Sequence, residues 1–417
     1  MPDNPLHRAV LLLQQHKFKE AEIILNGLFA EDPTNTDVIG LMCELKIFQD
    51  KFDEAMTLIS NAIGLDPGAS HLFHKRARIF IQQDKYDAAE KDLQQAISID
   101  PYETDYFALL SLLKIERKQF SDALEIADKA LELNAENIQA LNARSTALLK
   151  LNRKEESFST IHDALREDPD NAYTHANYGW GLLEKGSHKN ALLHFAEALK
   201  KNPNLTLAQQ GMAEALKARY FVYRSFLKFS LWMSNLRGKN QWAVIIGFYL
   251  LFRLIRWGAE SNPSLQPFLN PLLVLLGLFA FSTWIITPVS NLFLRLNKYG
   301  KHLLNREQII ASNFVGFSIL IALVGGILYL FKPQPYFLVI VAFGLTMMIP
   351  LSAMLTFSKK RTLLVSFTCL LAIVGTTGFI MGITSGEAFN NFVIAYIIGL
   401  ILFQWVANYL VIRQTNK

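Results

Sequence analysis

The sequence predicts an all-α protein, in which a superhelical solenoid of six 34-residue helix pairs is followed by a six-helix transmembrane bundle. Two observations support this prediction. The first half repeats a fixed set of residue types every 34 positions, and such a period is the signature of a helical solenoid. The second half loses nearly all of its acidic residues and contains long apolar runs, which are typical of membrane-spanning helices.

Three registers keep the 34-residue step through the first half. The first is proline except at one alanine: Pro33, Pro67, Pro101, Ala135, Pro169 and Pro203. The second is alanine except at one serine: Ala21, Ala55, Ala89, Ala123, Ser157 and Ala191. The third is always small: Ala9, Cys43, Ala77, Ser111, Ser145 and Gly179. Proline ends each pair because it cannot continue a helix and disfavours helical geometry in the residue before it. The small residues let the two helices of a pair lie close together.

An aromatic residue also opens the second helix of the first four units, at Phe18, Phe52, Tyr86 and Phe120, whereas Lys154 and His188 replace it in the last two. The order of small residue, aromatic, alanines and proline resembles the tetratricopeptide repeat. This resemblance implies stacked helix pairs, and as a family these repeats bind other proteins. Six repeats cover residues 2–205 and a solvating helix follows at 206–217, so we assign residues 2–218 to the solenoid.

Composition changes near residue 218. The first 218 residues carry 33 Asp and Glu against 24 Lys and Arg, a net charge of −9, and the remainder carries 3 against 17, a net charge of +14. About 20 helical residues cross the roughly 30 Å hydrocarbon core of a bilayer. Six apolar runs approach or exceed this length, within a transmembrane domain assigned to 240–412: 241–257, 268–292, 309–331, 336–357, 363–383 and 392–412. The first run is the shortest, and whether it spans fully is left open.

The loop charges predict an orientation. If all six runs span, fifteen Lys and Arg residues lie on one side of the membrane and only Lys332 lies in the loops of the other. The excess of positive charge on the cytoplasmic side of membrane proteins then places the solenoid and the C-terminus in the cytoplasm. No secretory signal precedes the repeats, since residues 1–19 have the pattern of an amphipathic repeat helix. We expect an integral membrane protein, of a bacterial inner membrane.

Residues 219–239 predict an amphipathic juxtamembrane helix. Its apolar side contains Phe221, Phe226, Phe229, Trp232, Met233 and Leu236. Arg224 and Lys228 lie on the other side, so we interpret the segment as an interfacial helix on anionic lipid headgroups. The alternative is a last solenoid helix that packs its apolar face on the sixth repeat. Further lipid or interface contacts are predicted at Arg253, Arg256, Lys298, Lys301 and Arg306.

Motifs for catalysis, cofactor binding and metal binding are lacking in the sequence. Cys43 and Cys369 lie in different halves, which predicts neither a disulfide nor a zinc site. His71 and His74 have helical i, i+3 spacing, but no clustered cysteine or carboxylate completes a metal site. We therefore expect a non-enzymatic protein with no cofactor and no metal. Nucleic acid is not an expected partner, because the basic residues are scattered among the apolar runs.

The predicted binding surface is the groove formed by the first helices of the repeats. Helical phase places the following residues there: Asp37, Glu44, His71, His74, Arg78, Asp105, Asn142, Tyr173 and Trp180. Tyr173 and Trp180 form an aromatic end of this groove and are candidate binding anchors. The alternative role of these two residues is contact with the helix that follows the sixth repeat.

These observations favour a membrane-embedded scaffold or adaptor whose solenoid recruits a protein partner to the cytoplasmic face. The alternative is a transporter, channel or lipid-handling protein with a regulatory solenoid, because six spans exceed what an anchor needs. A membrane-embedded enzyme ranks third, since the spans carry no charged or nucleophilic constellation. The sequence does not predict the identity of the partner or the oligomeric state.

Overall fold

The computed structural model describes residues 4–15, 17–236, 238–295, 300–355 and 361–415. Within these ranges the chain forms α-helices joined by turns and two short 3-10 segments, and no β-strand. It divides into two compact units, Met1–Asn177 and Tyr178–Lys417. The predicted all-α class is therefore confirmed.

The repeats form six helix pairs. Their helices are α1 (Pro5–Gln14), α2 (Phe18–Glu31), α3 (Thr36–Phe48), α4 (Phe52–Leu65), α5 (Ser70–Gln82), α6 (Tyr86–Ile99), α7 (Thr104–Glu116), α8 (Phe120–Leu133), α9 (Ile138–Lys150), α10 (Lys154–Glu167), α11 (Ala172–Lys185) and α12 (His188–Lys201). The residue before each proline leaves the helical region, as expected: Asp32, before Pro33, has φ −141° and ψ 92°. The proline register therefore fixes where each second helix ends.

The small-residue register lies at the contact between the helices of a pair. Ala9, Cys43, Ala77 and Ser111 are each 0% exposed. Ser111 donates a hydrogen bond to the backbone carbonyl of Ala123, at 2.7 Å, and so binds α7 directly to α8. Burial raises the pKa of the Cys43 thiol to about 12, which makes it an inert packing residue.

In five consecutive repeats, the turn between the two helices of a pair contains a residue whose backbone has the left-handed conformation, with positive φ. Asp50, Asp84, Lys118 and Asn152 have φ between 57° and 63°, and Gly186 has φ 91°. The five positions are 34 residues apart, so they form a fourth register, which is recognised by backbone conformation and not by residue type. This conformation favours Gly, Asn and Asp, which makes Lys118 the least suited of the five.

The second unit begins within α11 and continues through α12, α13 (Thr206–Lys217) and α14 (Phe221–Asn235). Phe195 of α12 is fully buried between two glycines. A Cβ atom on Gly179 would lie 2.6 Å from the Phe195 ring, and one on Gly211 of α13 would lie 2.2 Å from it. Glycine is required at both positions because real Cβ atoms do not approach this closely.

A buried polar cluster joins α13, α14 and the helix α16 (Gln266–Arg295). Lys217 is only 3% exposed, and its ammonium donates to Glu214 at 2.5 Å and to Asn291 at 3.4 Å. The Tyr223 hydroxyl donates to the other Glu214 oxygen at 2.5 Å, and the Lys217 ammonium lies 5.1 Å from the Tyr223 ring centre. The largely buried ion pair within α13 is thus hydrogen-bonded to α14 through Tyr223 and to α16 through Asn291.

The remaining long helices are α15 (Gly238–Ser261), α17 (Arg306–Phe331), α18 (Pro335–Ala353), α19 (Arg361–Ser385) and α20 (Asn391–Thr415). Together with α16 they provide six helices that are long and apolar enough to cross a membrane. The first candidate span is 23 residues, Lys239–Ser261, which corresponds to about 35 Å of helix. Its length therefore suffices for a full crossing, although the apolar run within it is shorter.

Glycines set the closest approaches among these helices. A Cβ atom on Gly344 of α18 would lie 2.6 Å from the backbone nitrogen of Ala322 in α17. One on Gly375 of α19 would lie 2.3 Å from the ring of Phe343. Small residues at helix contacts are the usual way to gain packing in a bilayer, where apolar burial gives no advantage over lipid.

Candidate partner-binding groove

The first helices of repeats four to six enclose a pocket with a volume of about 420 Å³. It is lined by Leu112, Ile138, Gln139, Asn142, Asn171 and Tyr173. Because these residues belong to α7, to α9 and to the start of α11 with its preceding turn, we call it the α7–α9–α11 pocket. Tyr173 keeps 42% of its surface exposed, so its ring is available to a ligand.

The two amides of this pocket form internal hydrogen bonds, and the buried Asn142 joins α9 to α11. Asn142 is 2% exposed and donates to the Ile138 carbonyl and to the Thr174 hydroxyl, at 2.9 and 2.8 Å. Asn171 accepts a hydrogen bond from the Thr174 backbone at 3.0 Å. These amides are engaged within the protein, so the surface left for a ligand is formed mainly by Leu112, Ile138 and the ring of Tyr173.

Repeats two and three carry charged groove residues that neutralise one another. The Glu44 carboxylate lies 3.1 Å from the Lys75 ammonium and 3.2 Å from the Arg78 guanidinium. Burial raises the pKa of Glu44, but the two cations outweigh burial and hold this pKa below its usual value. The carboxylate therefore stays ionised and paired, and it offers little to an incoming charge.

The two predicted histidines lie beside this group. The His71 ring nitrogen is 3.7 Å from the Asp37 carboxylate. The His74 ring lies 5.2 Å from that of Tyr106, and burial, reinforced by Arg78, lowers the pKa of His74 to about 4. His74 is therefore neutral at physiological pH. Among the described residues, no three His, Cys, Asp or Glu side chains are grouped to hold a metal.

Two exposed carboxylates on α7 differ from Glu44. Asp105 accepts a hydrogen bond from the Asn137 side chain at 2.8 Å, and Asn137 directly precedes the pocket residue Ile138. Glu116 ends α7 one turn beyond Leu112. Neither carboxylate forms an ion pair within the described part of the chain. Partial desolvation and the Asp84 carboxylate both raise the pKa of Glu116.

Trp180 belongs to the second unit and contacts the helix that follows the repeats. Its indole N–H donates to the Leu207 carbonyl of α13 at 3.1 Å, and its ring packs edge-on against Phe195 at 5.9 Å. These contacts correspond to the alternative role that the sequence left open for Trp180. A role for Trp180 in the binding groove stays a prediction.

The predicted lipid contacts fall into three groups. The Arg224 guanidinium lies 3.5 Å from His188, and the Lys228 side chain passes beside Gly186, so both cations face the turn and helix start of the sixth repeat. Arg253 and Arg306 are exposed, and Arg256 pairs with Glu260 at 2.8 Å. Lys298 and the side chain of Lys301 lie outside the described residues.

The apolar side of α14 contacts α16, whereas its cations lie toward the sixth repeat. The Phe229 ring packs edge-on against Phe279 at 5.3 Å, and the Tyr220 ring lies 6.1 Å from that of Phe293. This arrangement differs from the alternative in which the apolar face covers the sixth repeat. The role of α14 at a lipid surface stays a prediction.

Hydroxyl groups within the six apolar helices are bonded mainly to their own helix. Thr376 and Thr377 donate to backbone carbonyls one turn earlier, at 2.8 Å each. Two bonds cross between these helices: the hydroxyls of Thr346 in α18 and Tyr396 in α20 lie 2.7 Å apart, and the Thr368 hydroxyl of α19 donates to the Pro350 carbonyl of α18 at 3.4 Å. The described hydroxyls thus bond mainly to backbone carbonyls of their own helix and form two contacts between helices.

Sequence reasoning missed part of this site. Gln139 occupies the same register as Asp37, His71, Asp105 and Tyr173, so a complete helical projection would have included it. Ile138 and Asn171 lie at the start of a helix and just before one, where phase is less informative. Glu116 was missed because it is the last residue of α7. Only the observed end of that helix shows that Glu116 lies one turn beyond Leu112 on the same helix face.

Family models support the repeat assignment. Two tetratricopeptide-repeat models match residues 12–79 and 70–103. A curated relative is the probable UDP-N-acetylglucosamine–peptide N-acetylglucosaminyltransferase SPINDLY of Solanum lycopersicum, which is 29% identical over 100 residues. That match covers 24% of this chain and 11% of the relative, so this chain spans only a small part of the relative's length.

Several solved structures resemble the chain at low identity. The Cut9–Hcn1 hetero-tetramer of the APC/C is 18% identical, with a TM-score of 0.45 over 51% of this chain and 42% of that one. PilF of Pseudomonas aeruginosa is 16% identical, with a TM-score of 0.40 over 50% and 96%. A tetratricopeptide-repeat protein of Parabacteroides merdae is 16% identical, with a TM-score of 0.42 over 54% and 90%.

Proposed function

We propose that this protein, a tetratricopeptide-repeat solenoid followed by six apolar helices, is a non-enzymatic scaffold that recruits a protein partner to the cytoplasmic face of a membrane. The solenoid binds the partner through its first-helix groove, and α15–α20 hold the complex in the bilayer. The observation that carries the proposal is the α7–α9–α11 pocket, which is open, largely apolar and built from three consecutive repeats.

The pocket suits a protein segment. An exposed tyrosine beside aliphatic side chains is a common composition for the centre of a protein interface, where aromatic residues contribute most of the binding energy. The internal hydrogen bonds of Asn142 fix the walls before a partner arrives, which reduces the entropy lost on binding. In repeats two and three the charged groove residues are paired with one another, so this part of the groove extends the binding surface without offering an unpaired charge.

The six apolar helices and the charge distribution support the location. Fifteen Lys and Arg residues fall on the side that carries the solenoid if all six helices span. On the positive-inside rule this side is cytoplasmic, and in a bacterial cell the membrane is the inner one. The orientation can be measured by labelling single cysteines placed at Lys332 and at Gln139, in a chain whose Cys43 and Cys369 are replaced by alanine. We expect Gln139→Cys to be protected from an impermeant thiol reagent in intact cells, and Lys332→Cys to be labelled.

Recruitment is tested by a photo-crosslinking amino acid placed at Gln139 in the full-length protein in its native membrane. The matched control places it at Glu125, an exposed position on the second helix α8. We expect one partner to crosslink from Gln139 and not from Glu125, and to be lost with the Tyr173→Ala substitution. Equal crosslinking from both positions, or none from Gln139, would overturn the proposal.

A further inference from the structure

Three residues of α7 form one stripe beside the α7–α9–α11 pocket. Asp105, Leu112 and Glu116 are separated by seven and four residues, or about two turns and one turn, and therefore lie on the same helix face. The stripe has a carboxylate at each end and an apolar pocket residue between them. With a rise of about 1.5 Å per residue, the two carboxylates are about 16 Å apart along the helix.

Both carboxylates lack a cationic partner. Asp105 accepts from the Asn137 amide and lies within electrostatic range of the neutral His74, and the neighbours that act on the Glu116 charge include the like-charged Asp84. Most other groove carboxylates and helix-contact carboxylates of this unit are paired: Glu44 with Lys75 and Arg78, Glu90 with Lys114 and Arg117, and Asp92 with Arg76. The rim of the pocket therefore carries uncompensated negative charge.

The Tyr173 hydroxyl is influenced by the same charge. Burial and the Glu116 carboxylate both raise the pKa of Tyr173, which places Glu116 within electrostatic range of the pocket wall. A ligand that brought positive charge to Glu116 would relieve its repulsion with Asp84, whereas an anionic ligand would add to that repulsion.

We propose that the α7–α9–α11 pocket binds an extended protein segment in which one large apolar side chain is flanked by lysine or arginine residues. The apolar side chain enters between Leu112, Ile138 and Tyr173, and the flanking cations meet Asp105 and Glu116. An extended chain rises about 3.3 Å per residue, so the distance between the carboxylates corresponds to about five residues. Cations two or three positions to either side of the apolar residue therefore fit both carboxylates.

The inference rests on the proposed function, because it specifies which partner the groove recruits. It excludes acidic segments, nucleic acid and anionic headgroups as occupants of this pocket, since each would bring negative charge to the two unpaired carboxylates.

The test is a selection from a synthetic library of nine-residue peptides with a fixed central leucine and randomised flanks, using full-length protein in nanodiscs. The protein is compared with the double variant Asp105→Asn, Glu116→Gln. The matched control is Glu125→Gln, which removes an exposed carboxylate on the second helix α8, outside the first-helix groove.

We expect the retained peptides to be enriched at least threefold in Lys and Arg within three positions of the leucine, and depleted in Asp and Glu. The enrichment should disappear with the double variant and persist with Glu125→Gln. The inference is overturned if no peptides are retained, if the retained pool has no basic bias, or if the double variant keeps that bias.

Crosslinking from Gln139 separates this inference from the proposed function. A partner that crosslinks equally well to the double variant would leave recruitment standing and refute the basic segment. Failure of all crosslinking from Gln139 would refute recruitment itself, whatever the library returned.

Discussion

The repeats and the six apolar helices solve the same packing problem by different means. In both regions small residues allow helices to approach, as at Ala77 in the solenoid and Gly344 in α18. In the repeats these residues recur every 34 positions, and charged residues next to them form ion pairs at the solvent-facing surface, as Arg76 and Arg78 do on either side of Ala77. Among the apolar helices they have no period, and hydroxyl groups bond mainly to their own helix. The packing contacts of the solenoid can therefore be recognised in the sequence, because they recur with a fixed period. Those of the apolar helices cannot be recognised in this way.

The buried ion pair of the second unit should give the largest effect on stability. Replacing Lys217 with methionine leaves Glu214 and Asn291 without their cation, and we expect a loss of about 3 kcal/mol in the free energy of unfolding. Lys200→Met is the matched control, because Lys200 forms an exposed i, i+3 pair with Glu197 at 3.7 Å. The control should lose less than about 0.5 kcal/mol by denaturant titration. Equal losses would show that burial of Lys217 does not matter.

The glycine contact around Phe195 should give the next largest effect. The Gly211→Ala substitution forces a methyl group into the Phe195 ring and should destabilise the protein by about 1–3 kcal/mol. Gly27→Ala is the control: Gly27 lies within α2 with open space around it, so alanine should stabilise the helix by about 0.5–1 kcal/mol. Thermal unfolding of both variants should therefore shift in opposite directions, and a shared direction would refute the close contact.

The neutral His74 predicts a pH dependence of the solenoid. In the native state the pKa is about 4, so His74 stays unprotonated, while the unfolded chain takes up a proton near pH 6.5. The contribution of neutral His74 to the free energy of unfolding is therefore complete above pH 6.5, and it is lost as the pH falls toward 4. Between pH 6.5 and 5 the loss should be on the order of 2 kcal/mol, above the range where most carboxylates titrate. The His74→Gln variant should show a flatter profile, and an unchanged slope would contradict the low pKa.

The left-handed turn gives the smallest expected effect. The Lys118→Gly substitution removes a side chain from an unfavourable conformation and should stabilise the solenoid by up to about 1 kcal/mol. Asn152→Gly changes the equivalent residue one repeat later, where asparagine already tolerates this conformation, so its gain should be smaller. A larger gain for Asn152→Gly, measured by thermal unfolding, would show that backbone conformation does not govern these turns.

Much of the fold could be predicted from the sequence because its determinants are local. The proline register marked where the second helices end, and the predicted helix 206–217 corresponds to α13. The apolar runs likewise marked the six long helices. The turn register was hidden, because Asp, Lys, Asn and Gly share a conformation there and not a residue type.

The site was less predictable because it depends on contacts between distant residues. Helical phase placed Asp105 and Tyr173 on the first-helix face, but only the structure shows that Asn142 is engaged by Thr174 and that Glu116 has no cation. Lys217 and Asn291 are 74 residues apart and belong to no common pattern, so nothing in the sequence pairs them. Contacts between residues so far apart in the sequence become visible only when the packing of their helices is known.

The most direct test of recruitment measures where the crosslinked partner resides in the cell. The partner is quantified in membrane and soluble fractions of cells that carry either the native chain or its Leu112→Ala, Tyr173→Ala variant at equal levels. We predict that the partner is enriched in the membrane fraction with the native chain and shifts to the soluble fraction with the variant. An unchanged distribution would contradict the conclusion that this groove recruits a protein to the membrane.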